Sequence, residues 1–524
     1  MSKVITAAEA AMLVHDNATL GIQGTICATV PEDLIQALAE RYRTTQSPKG
    51  ITLFHESGIG DGGERGCNAL AQKGLIGKLY CGHVGTIPKI QKMILENEFP
   101  AFLAPQGVLA QMLRAIAGHK QGVLTTVGLH TYADPRLDGC KINEKARECE
   151  DVVELLNIHG EEQLLYRAFP IDVCFIRATT ADQKGNLSIE HEPLRFDILE
   201  MATATHNSGG IVIAQVERVA DAKALKPHNV VVPGFLVDYI VEGSEEGSRQ
   251  IMVDAKYHPE WSGELNIPIS AIEPMPLNLR KVIGRRAAFE VCKGDLVNLG
   301  IGMPEAVAAV AAEEGFSDTL TLTVEAGIVG GVPASGQAIG CAHNPESIIS
   351  HVNTFDIYDG GGIDITVLGA AQVDACGNVN VSKFGDRVTG PGGFINITQS
   401  TKKIVFAGSF CAGKSQMRIG NGSLQIEQDA ANKKFVKRVE QITFSGEYAA
   451  QQGKDVLFVT ERAVFRLTVN GLELIEIAPG VDLEKDILAQ MEFKPTISPD
   501  LKQMDTRIFM QTPMGLDPQV RKRG

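Results

Sequence analysis

A chain of 524 residues has room for two domains and large cores, and its 44% hydrophobic content is that of an ordinary globular protein. The formal charge of −14, from 49 Lys and Arg against 63 Asp and Glu, argues against nucleic acid as a partner, because no long basic run offsets it. No apolar run approaches the roughly 18 residues of a membrane span, the start Met1-Ser2-Lys3-Val4-Ile5-Thr6 lacks a signal-peptide core, and ten scattered cysteines form no CxxC pair, so a reduced, cytoplasmic protein is expected.

Along the chain, Ala18-Thr19-Leu20-Gly21-Ile22 reads as a strand. Pro31-Glu32-Asp33-Leu34 then opens a helix to about Tyr42, with proline and acids in its first turn. A stretch rich in Gly and His follows, about Gly63 to Ala168, with Gly82-His83-Val84-Gly85, Ala104-Pro105-Gln106-Gly107 and Asp134-Pro135-Arg136-Leu137 as its punctuation. Val173-Cys174-Phe175-Ile176 is a buried strand ahead of the turn Asp182-Gln183-Lys184-Gly185-Asn186. Two prolines in Glu273-Pro274-Met275-Pro276-Leu277 interrupt the pattern and place a domain join there, giving domains over 1–275 and 276–524. Beyond it, Leu296-Val297-Asn298-Leu299-Gly300 leads to Met303-Pro304-Glu305 and an Ala-rich helix that ends before Gly315.

The second half repeats the first. Thr52-Leu53-Phe54-His55-Glu56-Ser57-Gly58 is echoed by Thr321-Leu322-Thr323-Val324-Glu325-Ala326-Gly327. Gly21-Ile22, with Pro31-Glu32 further on, answers Gly300-Ile301 with Pro304-Glu305, and Asp182 to Ile189 answers Asp374 to Val381. Asn207-Ser208-Gly209-Gly210-Ile211-Val212 answers Ser400-Thr401-Lys402-Lys403-Ile404-Val405. Four colinear matches at so long a period mean duplicated domains rather than a solenoid. Strands alternating with helices imply parallel sheets. The expectation is an α/β protein of two tandem, related open parallel-sheet domains, with the site in the cleft between them. The first copy carries an extra region, about 63–168, which reads as a binding surface or lid.

Glu325 closes a β-type run and is followed by Ala326-Gly327, so it stands at the carboxyl end of a strand, where open α/β sheets hold ligands, with small neighbours that let a substrate approach. Gly330-Gly331, Gly360-Gly361-Gly362 and Gly390-Pro391-Gly392-Gly393 are either tight turns or presenters of N–H groups to an oxyanion or phosphate. Lys383 is either a phosphate contact or a surface lysine; His83, His119 and His130 read as structural, Cys376 and Cys411 as packed thiols, and Asp182 and Asp374 as turn formers.

Val324-Glu325-Ala326-Gly327, Tyr358-Asp359-Gly360-Gly361-Gly362, Gly377-Asn378-Val379-Asn380-Val381-Ser382-Lys383-Phe384 and Gly390-Pro391-Gly392-Gly393-Phe394-Ile395 resemble the family I CoA-transferases, most closely the single-chain acetate/propionate type. Ala104-Pro105-Gln106-Gly107-Val108, Gly128 to Arg136, Thr460-Glu461-Arg462-Ala463-Val464-Phe465 and Ile477 to Asp482 extend the likeness nearly end to end. The resemblance implies the NagB/ribose-5-phosphate-isomerase-like CoA-transferase fold. It puts the nucleophile at Glu325, a main-chain oxyanion donor in the Gly392-Gly393 turn and a side-chain thioester contact at Gln106. It also implies acyl-CoA and short-chain carboxylates as substrates, no permanently bound cofactor or metal, and a homodimer or homotetramer. Gly360, Gly361 and Lys383 are candidate contacts for CoA. Glu56, where many relatives have a small residue, reads as a decoy. An acyl-CoA hydrolase on the same scaffold and a non-catalytic metabolite-binding protein are the competing readings.

Overall fold

The computed structural model describes residues 3–268, 275–334 and 336–521. The chain packs as two compact units: Met1–Ile267 with Val324–Asp356 and Gly385–Asn396, and Pro268–Thr323 with Ile357–Phe384 and Ile397–Gly524. The expected division into 1–275 and 276–524 therefore differs in two returns of the chain, at 324–356 and 385–396, which pack with the first unit. A single cut in sequence cannot represent such returns. The proline join expected at 273–277 lies partly outside the described residues.

In the first unit, β1 (Thr19–Ile22), β2 (Ile51–His55), β3 (Ile76–Cys81), β4 (Ala101–Leu103), β5 (Val173–Asp182), β6 (Ile211–Ala220) and β7 (Tyr239–Glu242) form one sheet in the order β7-β6-β5-β1-β2-β3-β4. All neighbours in that order run parallel. Leu20, Ile22, Leu53, Phe54, Leu79, Phe175, Ile176, Val212 and Ile213 are fully buried. Near-continuous apolar strands of this kind are what a sheet covered on both faces requires, and each such side chain contributes about 1.5–3 kcal/mol.

The second unit has β8 (Leu296–Leu299), β9 (Thr321–Val324), β10 (Ile365–Leu368), β11 (Lys403–Ala407) and β12 (Asp455–Val459), parallel in the order β9-β8-β10-β11-β12. The order β6-β5-β1-β2 of the first unit is thus repeated as β11-β10-β8-β9, with Glu56 after β2 and Glu325 after β9. Even the turn bonds repeat. Asp182 accepts from the N–H of Lys184 and Asn186 and from Asn186 Nδ2, as Asp374 does from Cys376, Asn378 and Asn378 Nδ2. Gly185 and Gly377 supply the positive φ, +88° and +76°.

Two of the four matches shift in register. Leu20 pairs with Val173 and Val297 with Ile365, so Gly21 matches Asn298, and Gln23, whose N–H bonds Phe175 O, matches Gly300, whose N–H bonds Val367 O. A two-residue slip keeps every side chain on its face, so the sequence pattern is blind to it. Likewise Ile211 faces Val173 as Lys403 faces Ile365, one residue from the match expected with Ile404.

The region expected as an insertion is partly framework. It supplies β3 and β4, and its three-stranded antiparallel sheet, Gly122–Thr125, Glu161–Arg167 and Val153–Ile158, is the true addition. The second sheet also departs from pure parallel pairing: Ala463–Thr468 turns back antiparallel on β12. Three residues, Thr460-Glu461-Arg462, are too few for a crossover. Buried Arg462 holds Asp429 through both terminal nitrogens, at 2.9 and 2.6 Å, and Glu461 at 2.7 Å, which gives that motif a structural purpose.

Candidate active site

Three helix starts and one glycine turn build the site within the first unit. β4 ends at Leu103, and Ala104-Pro105 turn the chain into the helix Gln106–Ala117, so buried Gln106 stands at the carboxyl end of the sheet. The opening N–H groups of that helix have no partners of their own. The segment 390–396 provides them: Gln106 N–H donates to Gly392 O at 2.9 Å and Gly107 N–H to Asn396 Oδ1 at 3.1 Å. Gly107 is required here, because a Cβ would lie 2.4 Å from Phe355 Cδ1.

Together with Thr389, the same segment docks on the turn just after β3. Val84 N–H donates to Thr389 O and Gly392 N–H to Gly82 O, at 2.7 and 2.9 Å. The second bond corrects the expectation for the glycine turn. The Gly392 N–H is committed to Gly82 and is no free oxyanion donor, whereas Gly393 N–H has no acceptor among the described residues. Gly393 also lies directly against Glu325, since a Cβ built on it would fall 2.0 Å from Glu325 Oε2 and 2.9 Å from Phe355 Cζ.

Glu325 is half-buried, and its carboxylate has no hydrogen bond to any described residue. Burial raises its pKa from the ordinary 4.5, and the opposing influence is the nearby His351. Enough protein surrounds the half-buried carboxyl to strip part of its hydration. Gly327 (φ +116°) makes room for the chain itself, because a Cβ would meet Ile349 O at 2.1 Å.

His351 and Asp197 went unnoticed in the sequence. Gln106 Nε2 lies 2.8 Å from His351 Nε2, and His351 Nδ1 lies 2.5 Å from Asp197 Oδ2, with all three residues buried. The only local signal was a serine–histidine pair, Ser350-His351, opening a helix. Glu56 is fully buried, and neither carboxyl oxygen has a hydrogen-bond partner. Burial, then Asp197, then Glu200 push its pKa well above the ordinary range. Glu200 itself is pushed up to about 7 by burial and by Asp197.

The remaining candidates stand elsewhere. Gly360 and Gly361 belong to the second unit, where Gly361 N–H bonds Tyr358 O and Gly362 N–H bonds Ile357 O in an exposed turn that closes the helix His351–Asp359. Half-buried Lys383, also in that unit, lends its backbone to Asn380, its N–H to Oδ1 and its O to Nδ2. A groove of about 660 Å³ in the first unit, lined by Glu32, Arg65, Lys89 and Glu246 among others, contains none of the candidate residues. No helix among the described residues is long and apolar enough to cross a membrane.

Comparisons with known proteins identify the family. The family model described as coenzyme A transferase matches residues 4–243 and 281–408. The chain is 47% identical to a caffeate CoA-transferase of Acetobacterium woodii, over 99% of both chains, and 43% identical to the acetate CoA-transferase YdiF of Escherichia coli K12, over 98% of this chain and 96% of that one. Its structure is similar to that of the acyl-CoA transferase YdiF from E. coli O157:H7, solved as a thioester complex with CoA, with a TM-score of 0.94, 41% identity and coverage of 99% and 98%. A family match over most of the chain and full-length relatives at 43% and 47% identity leave one conclusion: the chain belongs to the coenzyme A transferase family and is a CoA-transferase.

Proposed function

We propose that this CoA-transferase moves CoA from a short-chain acyl-CoA to a carboxylate acceptor such as acetate, by ping-pong exchange through a glutamyl-CoA thioester on Glu325. The observation that carries this reading is the Glu325 carboxylate itself, which is partly desolvated, free of hydrogen bonds and set against Gly393. A carboxylate is a weak nucleophile in water and a better one once its hydration is reduced. Glu325 attacks the thioester carbonyl, and the oxyanion is held by the Gly393 N–H and a Gln106 amide N–H. The tetrahedral intermediate expels CoA thiolate, which leaves an acyl-glutamyl anhydride. The thiolate then attacks the glutamyl carbonyl, the donor acid departs, and the enzyme holds CoA as a thioester. An acceptor carboxylate runs the same steps in reverse.

Lys383 keeps its place in the proposal as a contact for a CoA phosphate. The cytoplasmic location and homo-oligomeric state implied by the resemblance belong to the proposal too, and ten unpaired cysteines suit a reducing compartment.

A matrix of acyl-CoA donors against short acids tests the reading. Thioester consumption is expected to depend on the acceptor and to yield the acceptor's CoA ester. Equal consumption without any acceptor overturns it in favour of hydrolysis. Gln106→Ala is expected to lower turnover by a factor on the order of 10 to 1,000, the range for losing one oxyanion donor. Unchanged kinetics with several acyl-CoAs would remove Gln106 from the site, and a fall in folded yield instead would give it a structural role.

A further inference from the structure

The Gln106 carboxamide is the outer end of a buried chain of side chains. Gln106 meets His351, His351 meets Asp197, and the second Asp197 oxygen, Oδ1, accepts the Val352 N–H at 3.0 Å. Asp197 is the N-cap residue of the helix Ile198–Asn207, yet its side chain makes no capping bond there. An aspartate in that position ordinarily satisfies its own helix. This one is diverted to the first turn of another helix, His351–Asp359, and to the imidazole that opens it. The ring is held from two further sides: Phe196 stacks on it at 4.3 Å and 19°, and Phe355 meets it edge-on at 4.9 Å and 85°.

The hydrogen bonds fix the tautomer. A carboxylate only accepts, so His351 Nδ1 carries the proton toward Asp197, and Nε2 presents a lone pair. The Gln106 amide donates one N–H to that lone pair. One N–H of the pair is thereby committed, the carboxamide plane is set, and the second N–H has a defined direction. Phe355, which meets the His351 ring, also lies against Gly393 beside the Glu325 carboxyl, which places the chain at the reacting centre rather than in remote packing.

We propose that His351, oriented by Asp197, is a positioning residue that fixes the rotamer and the handedness of the Gln106 carboxamide, so that an N–H and not the carbonyl oxygen faces the reacting thioester. This rests on the oxyanion role given to Gln106 above. Donors must be aimed before charge develops if they are to stabilise it without reorganisation, and a buried histidine–aspartate pair does the aiming.

The sharp variant is Asp197→Asn. The Val352 N–H retains the side-chain oxygen of the new residue, so its NH2 group faces His351 Nδ1. The imidazole must then carry its proton on Nε2, as happens when a buried aspartate partner of histidine becomes an amide. Two donors face each other across the Gln106 contact, and the carboxamide turns over. The expected result is a fall in kcat on the order of 10- to 100-fold with little change in KM for acyl-CoA, and no further fall when the same change is made in Gln106→Ala, because contacting residues in one network couple. His351→Phe, which keeps the stacking, gives the same pattern, and His351→Gln, which restores an acceptor, recovers part of the activity. Losses that add in the two backgrounds, or full activity in Asp197→Asn, overturn the proposal. Should His351→Phe fail to fold, the nearly isosteric Asp197→Asn decides. If Gln106→Ala is itself as active as the parent, the reading of the site fails; if Gln106→Ala is impaired and the effects add, only the positioning role fails.

Discussion

With an acyl-CoA and no acceptor acid, the protein is expected to carry CoA covalently on Glu325, and Glu325→Gln to abolish both the adduct and the exchange, by about 10⁴-fold or more for loss of a nucleophile. Ping-pong chemistry offers CoA no other resting place. Intact mass gives the adduct, borohydride reduces the thioester, and the modified peptide is the one with Thr323-Val324-Glu325-Ala326-Gly327. Glu56→Gln is expected to leave adduct and transfer largely intact, for a reason visible in the structure. Glu56 has both oxygens unbonded and a carboxyl that burial pushes toward its neutral form, and glutamine is a neutral side chain of the same shape. An adduct on Glu56 or on a cysteine would overturn the assignment, and robust transfer without an adduct would point to a ternary complex.

The same burial gives the sign of the pH dependence. Only the carboxylate attacks, and burial raises the Glu325 pKa, so the acid limb of kcat/KM is expected above pH 4.5, with activity lost as pH falls through it. For stability the sign is opposite. A carboxyl whose folded pKa is raised favours the fold while protonated and loses that contribution as pH rises through the folded value. Glu325→Gln, which removes the buried charge, is therefore expected to melt no lower than the parent at neutral pH. A marked drop in Tm would show that the carboxylate is structural.

Much of the fold was legible because it is written locally. The glutamates after β2 and β9 and the Asp-x-x-Gly-Asn turns are short patterns whose geometry depends on neighbours in sequence, and the structure repeats them bond for bond. Register was less legible, since strand patterns tolerate a slip of two residues, and Gly21 accordingly matched Gly300 instead of Asn298. The His351 chain was not legible at all. Its bonds join residues 245 and 154 positions apart, and nothing around Asp197 in the sequence separates a diverted N-cap from an ordinary one. The glycine turn lay between these cases. The sequence points to Gly392-Gly393 as a pair, but which amide is free depends on the Gly82 carbonyl, far away in the chain.

That distinction yields the second large effect expected here. Gly393→Ala is expected to cut transfer on the order of 100- to 1,000-fold, comparable to loss of a main-chain oxyanion donor together with a displaced nucleophile. The backbone at Gly393 is not in the left-handed region, so the penalty is steric alone. A methyl would sit 2.0 Å from Glu325 Oε2 and 2.9 Å from Phe355 Cζ, and the carboxylate must swing away from the amide it shares the site with. Gly392→Ala makes the contrast. Its φ of +52° costs an L-residue about 1–2 kcal/mol of stability, but its Cβ meets nothing closer than Gln106 Oε1 at 3.6 Å, and its N–H is already bound to Gly82. This variant should therefore melt lower and still turn over within about tenfold of the parent, as a change that spares the transition-state contacts does. Measuring Tm and adduct formation side by side separates the two glycines. If Gly392→Ala is the variant that loses the adduct while Gly393→Ala keeps it, the free amide has been assigned to the wrong residue, and the donor to the thioester oxygen lies one position earlier in the turn.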